Sequence, residues 1–160
     1  MRQALIAAYL LLVGSTLLAQ QGSPNVSPKA KQYITYVAED QQVKAGKQSM
    51  IALSFKVADG YHVNSHTPKS ELLIPTNLTL KPATGVTSVA AVYPAGTSYS
   101  FSFEPNEKLD VYTGTFTVKV PVTAEAGTHS VEGVLHYQAC DNAACYPPKN
   151  LPVALTVTAK

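Results

Sequence analysis

The chain contains two cysteines, Cys140 and Cys145, and they lie at the two ends of a short loop. The loop begins with Asp141-Asn142, a pair that favours turns, so a disulfide between its ends is sterically plausible. Such a pair can exchange its disulfide with the thiols of a partner protein, or it can act as a structural staple. The residue types and their spacing leave both interpretations open.

The length of the loop bears on this choice. In the chain-entropy description, a disulfide contributes more stability when it closes a longer loop. A bridge between residues this close in the sequence contributes about 2 kcal/mol, against roughly 4 kcal/mol for a long-range bridge. A sandwich domain that required a staple would gain more by linking its two sheets. The short loop therefore favours accessibility over stability.

The charges around the cysteines do not favour a self-activated nucleophile. Asp141 is adjacent to Cys140 and disfavours a thiolate, and Lys149 is the nearest cation in the sequence. No helix N-terminus is expected nearby. A pair in these surroundings is better suited to exchange with a partner whose own thiol is activated than to attack on its own.

The elements that must position the cysteines are strands, because apolar and polar residues alternate with period two along most of the chain. Turn residues, among them Pro105-Asn106, separate the alternating segments. Eight or nine short strands, eleven prolines and no convincing amphipathic helix predict an all-β fold, an antiparallel β-sandwich. Pro75 and Pro152 lack a ladder donor and are expected at a strand end or a sheet edge. The predicted strands are residues 34–37, 51–57, 61–64, 76–80, 86–93, 99–103, 115–120, 131–138 and 151–158.

The alternation also predicts the direction of the side chains near the cysteine pair. If the strand through His136 and Gln138 keeps its register, Cys140 continues the outward face while Tyr137 points inward. The Cys140 sulfur is then expected near solvent or under a covering loop.

The first residues are typical of a targeting signal. Arg2, an uncharged apolar run over residues 4–18 and the small residue Ala19 predict a secretory signal peptide over residues 1–19. A mobile leader over residues 20–31 and one domain over residues 32–160 are expected to follow. The apolar run is too short to span a bilayer comfortably, so the protein is not expected to be membrane-embedded. Export would place the cysteines where disulfides persist.

Other functional classes find less support. The formal net charge is +2 and the lysines are scattered, which argues against nucleic-acid binding. His62 and His66 lie far from Cys140 in the sequence and no metal-ligand spacing is present, so no metal site is expected. A hydrolase is disfavoured because there is no Gly-x-Ser-x-Gly motif. The remaining alternative is an exported interaction module with an inert disulfide and an aromatic patch, formed by Tyr93, Tyr99, Phe101 and Phe103.

One passage resembles a known family. Residues 137–148, Tyr-Gln-Ala-Cys-Asp-Asn-Ala-Ala-Cys-Tyr-Pro-Pro, are similar to the active-site signature of the N-terminal domain of the thiol:disulfide interchange protein DsbD. Residues 59–64, Asp-Gly-Tyr-His-Val-Asn, resemble the Asp-Gly-aromatic strand of that family. The resemblance extends from about residue 34 to residue 157, which is nearly the whole expected domain.

The resemblance implies an immunoglobulin-like sandwich and a thiol-disulfide oxidoreductase that acts with partner proteins and needs no cofactor. Its two cysteines would shuttle between dithiol and disulfide in the bacterial periplasm, or outside the cell if the protein is secreted. They would receive reducing equivalents from a transmembrane electron transporter and pass them to thioredoxin-like periplasmic oxidoreductases. Because the chain ends at Lys160, the transporter is expected to be a separate protein.

The resemblance also implies roles for individual residues. Cys145 would form mixed disulfides with partners, and Cys140 would be the resolving cysteine. In the best-known members tyrosines stand at the positions of His62 and Asn64, and the loop between the cysteines is one residue longer. The implied cleft and supporting residues are Tyr61, His62, Asn64, Tyr137, Gln138, Tyr146 and Pro147. The family's cap loop would fall between Tyr99 and Leu109, with Phe101, Phe103 and Glu104 as candidates.

Overall fold

The computed structural model describes residues 31–102 and 104–160. The predicted signal peptide, the predicted leader up to residue 30 and the cap-loop candidate Phe103 lie outside the described residues. Within the described ranges, no helix has the length and apolar character that crossing a membrane requires.

Twelve strands form in the described part of the chain, arranged in three four-stranded sheets. In chain order they are β1 (Ile34–Val37), β2 (Gln41–Val43), β3 (Gln48–Val57), β4 (His62–Asn64), β5 (Asn77–Leu80), β6 (Val86–Ser88), β7 (Thr97–Phe101), β8 (Glu104–Tyr112), β9 (Thr115–Ala124), β10 (Gly127–Tyr137), β11 (Ala139–Cys140) and β12 (Lys149–Ala159). The strand orders are β1-β3-β9-β6, β2-β12-β10-β5 and β11-β4-β8-β7. The pairing of β2 with β12 is parallel, and the other described pairings are antiparallel.

The first two sheets enclose the core. Alternate residues of β3 and β9 are buried, and so are alternate residues of β10 and β12, as the period-two pattern predicts. Their apolar side chains join in one buried cluster, in which the Phe55 and Phe116 rings stack with centroids 5.3 Å apart. The fold is therefore the predicted all-β, immunoglobulin-like antiparallel β-sandwich.

Two predicted elements are wrong in detail. The Pro105-Asn106 turn does not form, because both residues belong to β8, which pairs with β7. Residues 104–108 are all exposed, so β8 begins without the alternation that marks a half-buried strand. The strand predicted over residues 86–93 ends at Ser88, and beyond it Val92 alone forms a bridge to Lys119.

The two prolines occupy positions that tolerate a missing donor. Pro75 precedes β5. Pro152 lies within β12 opposite Val134, on a part of β12 that β2 does not reach, because β2 pairs only with Val157–Ala159.

The third sheet carries the site. Asp59-Gly60 turns the chain into β4, and the left-handed φ of 81° at Gly60 explains why glycine is present there. β4 then pairs with β11 on one side and with β8 on the other, so the end of β10, the cysteine loop and the β7–β8 hairpin are brought to one sheet.

Candidate functional site

Cys140 and Cys145 form a disulfide with an S–S distance of 2.01 Å and a Cα–Cα distance of 3.9 Å. The two residues also face each other as an antiparallel backbone bridge. The Tyr146 N–H donates to the Ala139 carbonyl at 2.8 Å, and the Asp141 N–H donates to the Ala144 carbonyl at 3.0 Å. Cys140 and Cys145 are therefore a non-hydrogen-bonded pair, the position at which cross-strand side chains come closest. The backbone itself holds the two sulfurs together.

The two cysteines differ in exposure. Cys140 is completely buried, with 0% of its surface exposed, whereas Cys145 is exposed. The Cys140 sulfur was expected near solvent or under a covering loop, and the burial of Cys140 excludes the first of these positions. A partner protein can reach Cys145 directly, and Cys140 lies behind it.

The loop between the cysteines is organised by Asp141. One carboxylate oxygen accepts the N–H groups of Ala143 and Ala144, at 2.8 Å and 3.0 Å, and the other accepts the Tyr146 hydroxyl. These hydrogen bonds, the one from Tyr146 foremost, hold the pKa of Asp141 below its ordinary value. The same hydrogen bond raises the pKa of Tyr146 to about 12. Asp141 therefore places a fixed negative charge beside the disulfide.

The β7–β8 hairpin closes over the cysteine loop. The Tyr99 hydroxyl donates to Asn142 Oδ1 at 2.7 Å, and the Tyr99 ring lies 4.1 Å from the His62 ring. Phe101 lies further along the hairpin, 5.9 Å from His62, and Glu104 is exposed opposite it. The predicted cap residues Phe101 and Glu104 therefore lie on the hairpin. Tyr99 makes the contact with the loop. The sequence placed this residue in an aromatic patch and at the start of the cap-loop region, but not among the cap candidates.

A cluster of tyrosines lies on the Cys145 side of the loop. The Tyr146 ring stacks on Tyr33 at 5.0 Å, and Tyr61 completes the cluster, 4.9 Å from Tyr33. Two lysines cover the rings: the Lys31 ammonium is 4.5 Å from the centre of the Tyr61 ring, and Lys149 is 5.6 Å from that of Tyr33. Sequence reasoning found Tyr61 and Tyr146 but not Tyr33 or Lys31, which reach the site from the start of the domain.

The other residues predicted for the site are Gln138, Asn64, Tyr137 and Pro147. Gln138 Oε1 accepts the Asn64 side-chain amide at 3.0 Å and the Ile74 N–H at 3.1 Å, while its Nε2 donates to the Tyr146 carbonyl at 3.3 Å. Tyr137 is buried, and its hydroxyl donates to Gln32. Pro147 is exposed directly after Tyr146.

His62 pairs directly with Cys140 across the β4–β11 ladder. It is 2% exposed, and its Nε2 has no hydrogen-bond partner among the described residues. Burial lowers the pKa of His62, and the nearby Asp141 carboxylate partly opposes that shift. His66, by contrast, stacks on Tyr93 at 3.7 Å, and its Nδ1 lies 3.0 Å from the Thr76 carbonyl oxygen. The described residues contain no group of three or more His, Cys, Asp or Glu side chains that could hold a metal ion.

A comparison with protein families gives one decisive match. The family described as "Thiol:disulfide interchange protein DsbD, N-terminal" matches residues 34–156, which include both cysteines and all four strands of the third sheet. The chain belongs to this family. The resemblance seen in the sequence is thereby confirmed, and thiol:disulfide interchange is the function that this family of DsbD N-terminal domains carries.

Individual relatives agree with this assignment. The thiol:disulfide interchange protein DsbD of Actinobacillus pleuropneumoniae serotype 5b (strain L20) is 28% identical over 149 residues, 91% of this chain and 22% of that protein. The chain thus spans about a fifth of the length of that relative.

Among solved structures, the N-terminal periplasmic domain of ScsB from Proteus mirabilis has a TM-score of 0.53 at 13% identity, over 76% of this chain and 44% of that one, which supports a shared fold. The DsbD N-terminal domain of Neisseria meningitidis in the reduced form has a TM-score of 0.45 at 21% identity, over 69% of this chain and 78% of that one.

Proposed function

We propose that this chain is a periplasmic thiol-disulfide exchange domain, which accepts reducing equivalents and passes them on through Cys140 and Cys145. The observation that carries the proposal is the cysteine pair itself: one residue exposed, one buried, and both held in contact by the backbone bridge. A structural staple would gain nothing from this asymmetry, whereas exchange requires one sulfur to be reached by a partner.

The exposure of the two cysteines supports separate roles. In the reduced domain, the Cys145 thiolate attacks a partner disulfide, forms a mixed disulfide and releases the first partner sulfur as a thiolate. Cys140 then attacks Cys145, the bond to the partner breaks, and the second partner sulfur leaves. Two electrons pass to the partner, and the Cys140–Cys145 disulfide forms. Cys145 is the entry point because it is exposed, and Cys140 resolves the intermediate because a partner cannot reach it directly.

The local charge supports exchange with activated partners. Asp141 stays ionised beside the pair, and a neighbouring negative charge disfavours a thiolate. The domain is thus a thiol-disulfide oxidoreductase that relies on activated partners: a low-pKa partner thiol attacks the domain's disulfide when the domain is reduced, and a low-pKa partner thiol leaves readily when the domain's Cys145 attacks a partner disulfide. We assign two classes of partner: thioredoxin-like periplasmic oxidoreductases, which it reduces, and a separate transmembrane electron transporter, which reduces it. The cleft residues Tyr61, Tyr146 and Pro147 flank Cys145 and would contact either partner.

The reduction potential tests the function. The domain is equilibrated with glutathione or dithiothreitol buffers, and free Cys140 and Cys145 are quantified by alkylation and mass spectrometry. A midpoint between roughly −200 and −280 mV, the range of exchange proteins, is expected. A midpoint below about −300 mV, with unfolding on reduction, would identify a staple and an interaction module instead.

Trapping tests the two roles. A Cys140→Ala variant should accumulate a mixed disulfide through Cys145 when mixed with an oxidised thioredoxin-like protein, because the resolving thiol is missing. The matched Cys145→Ala variant should trap nothing. Capture through Cys140 in that variant would show that the roles are reversed.

A further inference from the structure

Cys140, the buried cysteine of the pair, must lose its proton before it can react. Cys140 must become a thiolate to resolve a mixed disulfide at Cys145, but a fully buried thiol ionises reluctantly because burial disfavours the charged form. The ionised Asp141 next to it adds to that cost. A proton acceptor beside Cys140 would remove the difficulty.

His62 is placed to be that acceptor. Directly paired residues on neighbouring strands project to the same face of the sheet, with Cβ atoms about 5 Å apart, and His62 is the direct partner of Cys140. The imidazole is 2% exposed, and its Nε2 has no hydrogen-bond partner within the described residues. A buried polar atom without a partner is costly. In the dithiol form, Cys140 gains an S–H donor that the disulfide form lacks.

We propose that His62 Nε2 accepts the proton of the Cys140 thiol when the mixed disulfide is resolved, an inference that rests on the exchange function proposed above. The Cys140 sulfur then attacks Cys145, the bond from Cys145 to the partner breaks, and the partner sulfur leaves as a thiolate. The imidazolium returns the proton to that thiolate or to water. In the opposite direction, His62 protonates Cys140 as it leaves.

The surroundings of His62 fit this role. The titratable groups around it are Asp141, whose charge stabilises an imidazolium, and Tyr99 of β7, whose ring packs on the imidazole. Asp59 and Tyr61 line the same surface depression as His62. Burial keeps the imidazole neutral and able to accept a proton near neutral pH. A surface depression of about 330 Å³ is lined by His62, Gly60, Tyr99, Thr113 and Asn142.

The test follows the two reactions of the reduced domain with dithiobis-nitrobenzoate, which releases one coloured thiol when Cys145 attacks and a second when Cys140 resolves the adduct. In wild type, the second phase should depend weakly on pH between about pH 6 and 8, because the base is intramolecular. In His62→Phe the second phase should be about 10- to 100-fold slower at neutral pH. This loss lies at or just below the lower end of the rate enhancement, about 100- to 10,000-fold, that general acid–base catalysis contributes. The rate of the second phase in this variant should also rise steeply with pH, and the first phase should be unchanged.

Three controls make the outcome decisive. His62→Gln, which keeps a polar side chain but no base, should also be slow, and a thermal melt of each variant confirms that it is folded. His136→Phe removes an imidazole that pairs with Asn150 away from Cys140 and should behave as wild type. A folded His62→Phe variant with the wild-type rate and pH profile for the second phase would overturn the role of His62 but would leave the exchange function standing. A wild-type domain that releases only one thiol would refute the exchange function as well.

Discussion

Reduction of the Cys140–Cys145 disulfide should leave the domain folded and only modestly less stable. The bond closes a loop between residues separated by 5 positions, and it lies within one corner of the fold. The chain-entropy relation gives about 2 kcal/mol for a loop of this size. With an unfolding entropy of about 2 cal/mol/K per residue over about 130 residues, the melting temperature should fall by about 8 °C. The buried apolar cluster between the first two sheets does not include Cys140 or Cys145, so it should keep its cooperative transition.

Thermal unfolding followed by circular dichroism, with and without dithiothreitol, measures this shift. Cys145→Ser is the matched control, because it removes the bond at an exposed position where serine is tolerated. Its melting temperature should equal that of the reduced wild type and should not respond to dithiothreitol. Loss of the cooperative transition on reduction, or a fall several times larger than expected, would refute the argument that the pair serves exchange rather than stability.

Three further predictions concern the residues around the pair. Gln138→Ala should lower the free energy of unfolding by about 2 kcal/mol in urea titrations, since Asn64 and the Ile74 N–H lose their shared acceptor; an unchanged midpoint would contradict this. Tyr146→Phe should raise the pKa of Asp141 towards its ordinary value, as an NMR titration of the carboxyl carbon would show. A carboxylate with a depressed pKa stabilises the fold above its unfolded-state pKa, and this stabilisation is lost as pH falls through the folded-state pKa, so the variant should lose it at a higher pH. Tyr99→Phe should speed alkylation of reduced Cys140 but not of Cys145, because the hairpin loses its bond to Asn142; equal rates at Cys140 in variant and wild type would show that the hairpin does not control access.

The sandwich could be predicted from the sequence because burial in its long strands follows the alternation of residue types. β3, β9, β10 and β12 each bury every second residue over most of their length, so the pattern is strong. β8 was missed because its first five residues are exposed, and β2 because three residues are too few to show a period. The alternation of residue types does not indicate the chemistry of the cysteine loop, which was predicted from the family signature.

The residues assigned to the site came from the two family motifs, residues 137–148 and residues 59–64, and from the expected cap loop. Gln138 and Tyr146 lie next to the cysteines, and the signature includes them. Tyr33 and Lys31 were not found, because they meet Tyr61 and Tyr146 only through tertiary packing. The pairing of His62 with Cys140 depends on the register of β4 against β11, which no local pattern specifies.

The backbone bridge at the disulfide has a kinetic consequence. Its two flanking hydrogen bonds, between Tyr146 and Ala139 and between Asp141 and Ala144, do not involve sulfur, so they can persist after reduction. The two thiols then remain side by side with little translational or rotational freedom to lose, the situation in which intramolecular reactions have the highest effective molarities. A mixed disulfide at Cys145 should be short-lived, and the domain can transfer electrons repeatedly without accumulating covalent complexes.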